Sequence, residues 1–423
     1  MHMPQGSSAD SILTVGPDQL PGLLWHRLNP ERWPLKPSQL PDGAILVGGA
    51  VRDALLNRLP PCPDLDLVIP GEVLTTVERL AGDHGGVCVL LDEQRDMARL
   101  VLKGWTIDFA RLEGHDITED LFRRDFKLNA IALSLSEPQQ LFDPTKGVQD
   151  LQNGVISAIR ESNLRDDPLR LLRALRLMAE LEMRIDADTL EMLKTNSPLL
   201  THAAPERIQA ELLRLIAAPA ADQAIELLQM LEFLSPWRAQ DGEPAQTPLD
   251  LSPPTDPAMT LEEQSLAMPL ARLTRLLSDQ GLKSLRFSRR QIQRCSRLRY
   301  WQERTGAEGN GTLSETERLR LHQDLEADLP ALVLCWPKER RDRWMQRWRN
   351  PNDPLFHPSA PVDGDTLQTK LSIQPGPKLG ALIQHLTTAH AYGRVSSLEQ
   401  ALVEARRWLI RPTSTGDSKG QCD

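Results

Sequence analysis

Ile45-Leu46-Val47-Gly48-Gly49-Ala50-Val51-Arg52-Asp53-Ala54-Leu55-Leu56 reads as a short apolar strand, two glycines and a helix, and Asp64-Leu65-Asp66-Leu67-Val68-Ile69 follows shortly downstream as a second strand. Side chains alternate along a strand, so Asp64 and Asp66 project from one face while Leu65 and Leu67 point to the other. Two carboxylates on one rigid edge are hard oxygen donors of the kind that suits Mg²⁺. Taken alone, the pair equally fits two solvated acids at a strand edge. The glycines let backbone N–H groups approach a phosphate, and Arg52, about one turn into the helix, adds a forked donor. The spacing is neither GxGxxG nor GxxxxGK[ST], which excludes a Rossmann or P-loop reading. A third acid, Asp108, lies in the strand-like run Trp105-Thr106-Ile107-Asp108-Phe109. Three carboxylates from two adjacent strands can hold two metal ions that activate an attacking hydroxyl and neutralise a leaving group.

Working outward, the runs Val87–Leu91 and Ala98–Leu102 add strands, and after Asn163 apolar residues recur at three- and four-residue spacing over Asp167–Met183, Ala187–Leu193, Pro205–Ala217 and Asp222–Leu231. The fold class is therefore α+β: a mixed sheet with helices, followed by an all-α remainder. Four segments are expected. Residues 1–40 form a loosely packed extension with one short helix at Leu20–Leu28, 41–162 an α+β head, and 163–239 and 240–423 two helical segments. Gln240–Pro257 and Gly306–Thr312 read as linkers or loops. The chain has 423 residues with 25% charged and 40% hydrophobic composition, and neither a leader-like N-terminus nor a membrane-spanning run, which points to a cytoplasmic protein. Five scattered cysteines without a CxxC pair argue against a disulfide framework or structural zinc. With a net charge of −9, any nucleic-acid contact must come from local basic surfaces.

The ordered set Gly48-Gly49-Ala50-Val51-Arg52-Asp53, Asp64-Leu65-Asp66, Arg123-Arg124-Asp125-Phe126-Lys127-Leu128-Asn129 and Asp166-Asp167-Pro168-Leu169-Arg170-Leu171-Leu172-Arg173 resembles the class II tRNA nucleotidyltransferase and bacterial poly(A) polymerase family. Pro205-Glu206-Arg207-Ile208-Gln209-Ala210-Glu211-Leu212 looks like the family's helix behind the base-reading element, and Pro375-Gly376-Pro377-Lys378 looks like the tail of the CCA-adding subgroup. The resemblance implies a nucleotidyltransferase head followed by helical neck, body and tail. It makes Asp64 and Asp66 ligands of Mg²⁺ in a two-metal site, with Asp108 the third acid. Gly49, Arg52 and Arg124 would meet the triphosphate, and Asp125 and Asn129 would lie near the ribose. Lys127 departs from the threonine usual there.

By the same resemblance Asp167 and Arg170, three apart on a helix, would select the base. A carboxylate acceptor beside a guanidinium donor matches the amino group and ring nitrogen of both cytosine and adenine. Uracil and guanine reverse that order. Arg173 is expected near the nucleotide. Arg176, two three-residue steps beyond Arg170, is a further nucleotide-binding candidate, although it turns away from Asp167 and also fits an ordinary charged helix side. Members that add C, C and A carry a flexible loop after the third-acid strand, whereas here Gly114 reaches Glu119 through His115-Asp116-Ile117-Thr118 alone. A pocket that cannot be reset implies CTP as substrate and an enzyme that stops at CC, with full CCA synthesis from CTP and ATP as the alternative. Tight groups of arginine and lysine around Arg289, Arg290 and Arg294, a second over Lys338–Arg349, and Lys378 in the tail are candidate tRNA contacts or plain solvated faces. A poly(A) polymerase and a non-catalytic RNA-binding relative are the rival functions. His115-Asp116 is the one His-Asp pair, so no HD-type phosphohydrolase is expected.

Overall fold

Alternating valine, leucine and isoleucine build one seven-stranded sheet from β1 (Ile45–Val47), β2 (Leu65–Ile69), β3 (Val87–Asp92), β4 (Met97–Leu102), β5 (Trp105–Arg111), β6 (Ala132–Ser134) and β7 (Leu141–Phe142), in the order β3-β4-β5-β2-β1-β6-β7. The computed structural model describes residues 12–238, 259–307 and 309–410. Strands β2 and β5 run parallel, and the other pairs are antiparallel. Helices α1 (Leu20–Leu28), α2 (Gly49–Leu55), α3 (Val73–His84), α4 (Ile117–Phe122) and α5 (Gly147–Asn153) belong to the same part of the chain. One face of the sheet carries Leu65, Leu67, Ile107, Phe109, Ala98 and Leu100, each at most 1% exposed, and α3 packs on it. Asp96, in the β3–β4 turn, caps α3 by accepting from Val73 and Leu74 N–H at 3.0 and 3.2 Å. On the opposite face α4 packs Ile117 and Leu121 on Val47, Val68 and Ala132, covering one end and leaving the other open.

Residues 12–40 differ from the loose extension expected of them. Leu24, Leu28 and Leu35 are buried, α1 lies against α2, and Arg27 donates to the Ala54 carbonyl at 3.1 Å. Burial on a neighbouring helix leaves little trace in so short an aperiodic stretch.

The chain divides into two compact units, Met1–Ser235 and Pro236–Asp423. The first also contains α6 (Glu161–Asp166), α7 (Leu169–Leu181), α8 (Ala187–Asn196), α9 (Pro205–Ala217) and α10 (Ala221–Met230), with a short parallel ladder of β8 (Val155–Ile156) and β9 (Arg184–Ile185). Leu171, Leu172 and Leu175 of α7 meet α9 and α10 through Ile208, Leu212, Leu215 and Leu228, all fully buried. Each such side chain contributes about 1.5–3 kcal/mol.

The second unit is helical throughout its described residues: α11 (Leu261–Leu276), α12 (Asp279–Ser284), α13 (Arg289–Thr305), α14 (Glu315–Asp324), α15 (Leu329–Val333), α16 (Lys338–Trp348), α17 (Gly364–Leu371), α18 (Pro377–Ala391) and α19 (Leu398–Ile410). Residues 306–312 join α13 to α14, residue 308 being outside the described set, as is the whole of the expected linker at 240–257. Leu367, Leu382, Leu386, Ala401 and Ala405 form a core among the last three helices.

His322 is 1% exposed, packs on Trp344 and Phe356 with ring centroids 5.2 and 4.1 Å away, and has no partner at either ring nitrogen. Burial, with Arg318 and Arg347 nearby, pushes it down to about 3, so the folded protein holds it neutral. The unfolded chain binds the proton more readily, at about 6.5. Its protonation therefore withdraws stability as pH falls from about 6.5 toward 3 and adds no pH dependence above. Two unpaired buried nitrogens cost about 1–3 kcal/mol each. His322→Phe is expected to raise the melting temperature at pH 7 and to flatten its decline between pH 6.5 and 4, both readable by calorimetry.

Candidate active site

Asp66 on β2 and Asp108 on β5 are register partners in the parallel pair, which sets their carboxylates on the open face of the sheet. Asp64, one residue before β2, is exposed on the same side, as the two-residue alternation requires. Burial and the like charges of Asp108 and Asp64 push the Asp66 carboxyl up to about 6, against the pull of Arg124 and Arg52. This carboxylate is short of counter-charge. Asp108 is differently placed: Arg99 on β4 grips it with Nε at 2.7 Å and Nη2 at 2.8 Å. Among the described residues no three carboxylate, imidazole or thiolate groups converge as a metal cluster. The pair Asp64 and Asp66 still fits Mg²⁺, which takes one or two carboxylates and fills its shell with water and phosphate oxygens.

The glycine turn lies against these acids. Gly48 has φ +74°, and a Cβ built on it would sit 3.1 Å from Asp66 Oδ2 and 3.6 Å from Arg124 Nη1. Gly48→Ala places a side chain in a backbone region that costs about 1–3 kcal/mol and pushes against the Asp66 carboxylate. A lower melting temperature together with a loss of nucleotide incorporation larger than that of a surface Gly→Ala control is the expected outcome.

Behind the turn, one network joins the remaining polar residues. Arg52 is buried and donates to Asn129 Oδ1 at 2.7 Å and to Asp53 at 2.8 Å. Asn129 Nδ2 donates to Asp125 at 3.1 Å. Asp125 also accepts from the Phe126 N–H at 2.7 Å and from Arg173 at 3.1 Å. Burial acts to raise the Asp125 carboxyl, but the guanidinium groups of Arg173 and Arg170 and these hydrogen bonds outweigh it and hold it below the usual range. Arg124, paired with Asp120 at 3.0 Å, lies beside Gly48 and Asp66.

Asp167 and Arg170 do not share a helix. Asp167 is extended (φ −137°, ψ 92°) between α6 and α7, because the following Pro168 disfavours the helical region for the residue before it. Its carboxylate accepts two bonds from Arg207 of α9, at 2.8 and 3.2 Å. Burial opposes these contacts, yet they hold Asp167 below the usual carboxylate range, with Arg173 and Arg170 adding to the effect. Arg170 donates to the Arg123 and Asn163 carbonyls at 3.0 and 2.9 Å and keeps a buried Nε without a partner. Arg173 ties Asp125 to Glu211, and Arg176 continues the chain, 6% exposed, to Glu211 and Glu180 at 2.5 Å each. Arg176 is thus held in ion pairs.

The connection from β5 to α4 is short and closed. Asp116 caps α4 by accepting from the Glu119 N–H at 3.0 Å, and the Glu119 carboxylate returns to the His115 N–H at 2.9 Å. Gly114, with φ +94°, passes so close that a Cβ there would meet Glu119 Oε2 at 2.5 Å.

Comparison with known proteins reads this geometry. Residues 44–157 match the Poly A polymerase head domain, and residues 182–237 match the probable RNA- and SrmB-binding site of polymerase A. The chain is 32% identical over 393 residues to a CC-adding tRNA nucleotidyltransferase of Synechocystis, covering 87% of this chain and 94% of that protein. The chain belongs to the class II tRNA nucleotidyltransferase family. A CC-adding tRNA nucleotidyltransferase of Geobacter sulfurreducens is 43% identical over 181 residues, 42% of this chain and 41% of that protein. The Bacillus stearothermophilus CCA-adding enzyme solved with CTP shares the fold, with a TM-score of 0.65 at 22% identity over 93% of this chain and 99% of that one.

In the second unit of this enzyme, the basic residues divide into two kinds. Arg289, Arg290 and Lys378 are exposed, and no ion pair holds them among the described residues. Arg294 is committed to Asp328 at 2.6 Å, Arg299 to Asp279, Arg304 to Glu317 and Arg347 to Asp353. No helix among the described residues is long and apolar enough to cross a membrane. Nothing local in the sequence marks Arg99 as functional, and Arg207 and Glu211 lie in the helix to which the resemblance gives a packing role. The signal available for Arg99 was a single charge at an alternating position of the apolar run Met97–Leu102.

Proposed function

We propose that this enzyme adds cytidines to the 3′ end of tRNA from CTP, releases pyrophosphate, and stops at CC. Asp64 and Asp66 would hold Mg²⁺, with Asp108 the third acid, and when bound such ions favour the attacking hydroxylate and neutralise the departing pyrophosphate. The protein's own groups do the rest. Arg124 and Arg52 stand where a triphosphate beside Asp66 would need positive charge. Asn129 couples Arg52 to Asp125, so phosphate and ribose recognition draw on one hydrogen-bonded network. Asp125 and Asn129 favour a 2′-hydroxyl because a carboxylate accepts from it and an amide both accepts and donates.

Base choice falls to Asp167 and Arg170. The cytosine amino group donates to the carboxylate, and the ring nitrogen accepts from the guanidinium, whose unpaired Nε is a donor without a match in the free protein. Uracil would set a carbonyl against the carboxylate, leaving buried groups unpaired at about 1–3 kcal/mol each.

The observation that carries the restriction to C is the closed turn at residues 112–116, clamped by Glu119. It leaves no mobile segment in the place where a pocket would be reset from C to A. The CC-adding relatives named above support the same reading. Exposed Arg289, Arg290 and Lys378 are the tRNA-backbone contacts we favour, since phosphate binding needs unpaired cations. Incubation of the enzyme with Mg²⁺, a tRNA lacking its 3′ end and each nucleoside triphosphate singly tests the reading. Pyrophosphate release with CTP on tRNA supports it, and release with ATP alone on generic RNA would indicate a poly(A) polymerase.

A further inference from the structure

The register of the sheet sets four side chains in one row across its open face: Asp66 on β2, Asp108 on β5, Arg99 on β4 and Val89 on β3. Adjacent strands are about 4.8 Å apart, so the row leads from the acids to Val89 over roughly 14 Å. Two features along it are unexplained by the chemistry described so far. Arg99 is 41% exposed, yet spends its fork on the third acid. Beyond it lies a solvent-facing apolar shelf, Val87 and Val89 of β3 with Val101 of β4, each 40–61% exposed; Leu91 lies at a register shift, and Leu90, 47% exposed, is set on the other face by its partner Ala98. Val87 and Val101 are register partners, so the shelf is continuous with the row rather than scattered. The three valines, contiguous on the face that carries the acids, form an apolar contact surface beside the catalytic centre.

We propose that Arg99 is a primer-binding residue which the free enzyme holds in reserve on Asp108, and that the apolar shelf beyond it seats the nucleotides preceding the reacting 3′ end. The inference rests on the nucleotidyl-transfer reading of the site. Its chemistry is that of the guanidinium fork, which fits a carboxylate and a phosphodiester with the same two parallel N–H bonds. In the free protein the fork satisfies Asp108 in place of a cation. When a single-stranded RNA end crosses the sheet, Arg99 can turn to its phosphodiester, freeing Asp108 toward the metal site while the shelf takes ribose and base faces. Occupation of the third acid is then coupled to arrival of the primer. The occupant is an RNA 3′ end because the row runs directly into the acids at which that end must react.

Two readouts test this on the full chain. Mn²⁺ titration followed by electron paramagnetic resonance, without RNA or nucleotide, is expected to show binding about three- to tenfold tighter in Arg99→Met than in the natural protein, with Arg99→Lys, which keeps the charge but not the fork, in between. Fluorescence titration with end-trimmed tRNA is expected to show about tenfold weaker binding for Arg99→Met, with KM for CTP changed less than about twofold. Val89→Asp should weaken tRNA binding while leaving Mn²⁺ binding as it is. Unchanged tRNA affinity in both variants would overturn the proposal, as would a rise in KM for CTP with tRNA affinity intact, which would give Arg99 to the triphosphate. Failure of the natural enzyme to elongate tRNA would sink the reading of the site itself, whereas the two binding readouts judge Arg99 without any turnover.

Discussion

Asp66→Ala is expected to lower CTP incorporation by about a thousandfold or more, because it removes the best-enclosed ligand of the site at which the transition-state charge is neutralised. The same substitution should leave the protein at least as stable as before. In the metal-free protein the Asp66 carboxyl stands at about 6, raised by burial and by Asp108 and Asp64. A carboxyl raised above its unfolded value of about 3.9 costs nothing below that pH. It withdraws stability progressively as pH rises toward 6, and by a constant amount above. The melting temperature of Asp66→Ala in chelator should therefore exceed that of the natural protein at pH 8 and converge with it near pH 4. A large drop in melting temperature at pH 8 would show that Asp66 is a structural residue instead. Loss of activity with a gain in stability is what a site built for a cation predicts.

The second large effect concerns Asp167. Its carboxylate can only accept, and that one-sidedness rejects uracil. In Asp167→Asn the amide presents either an oxygen or an N–H, so cytosine and uracil both find a partner. We expect discrimination between CTP and UTP to fall by roughly 5- to 150-fold, the equivalent of one buried polar mismatch. Sequencing the products of a competition between the two nucleotides measures it. The ion pair with Arg207 adds a second consequence, since a neutral amide no longer holds that guanidinium as strongly as the carboxylate does. Retained rejection of UTP would mean that the base is read elsewhere.

Much of this site could be read without coordinates, and the reasons differ by residue. Gly48, Asp64 and Asp66 were legible because strand alternation and a tight turn are local rules, and the structure places them together. The four helices α7 to α10 followed from apolar spacing, which left the helices of the second unit without individual bounds. The three-residue spacing of Asp167 and Arg170 suggests a shared helix, but Pro168 disfavours the helical region for the residue before it, and Asp167 is extended. Arg176, a nucleotide-binding candidate by the resemblance, is held by Glu180 and Glu211, and its pairing with Glu211, 35 residues on, has no local signature. The same holds for the basic stretch of α13. There Arg294 finds Asp328 and Arg299 finds Asp279, so a run that reads as a phosphate track is largely neutralised. The Arg99–Asp108 grip needed the strand register, which the sequence does not print.

The most direct measurement is the nucleotide-resolved product on a tRNA lacking its 3′ end, incubated with the enzyme, Mg²⁺, CTP and ATP together. A product extended by two cytidines, with no adenosine added after prolonged reaction, is the result that the clamped turn at residues 112–116 and the Asp167/Arg170 pair predict. A product ending in CCA would contradict it.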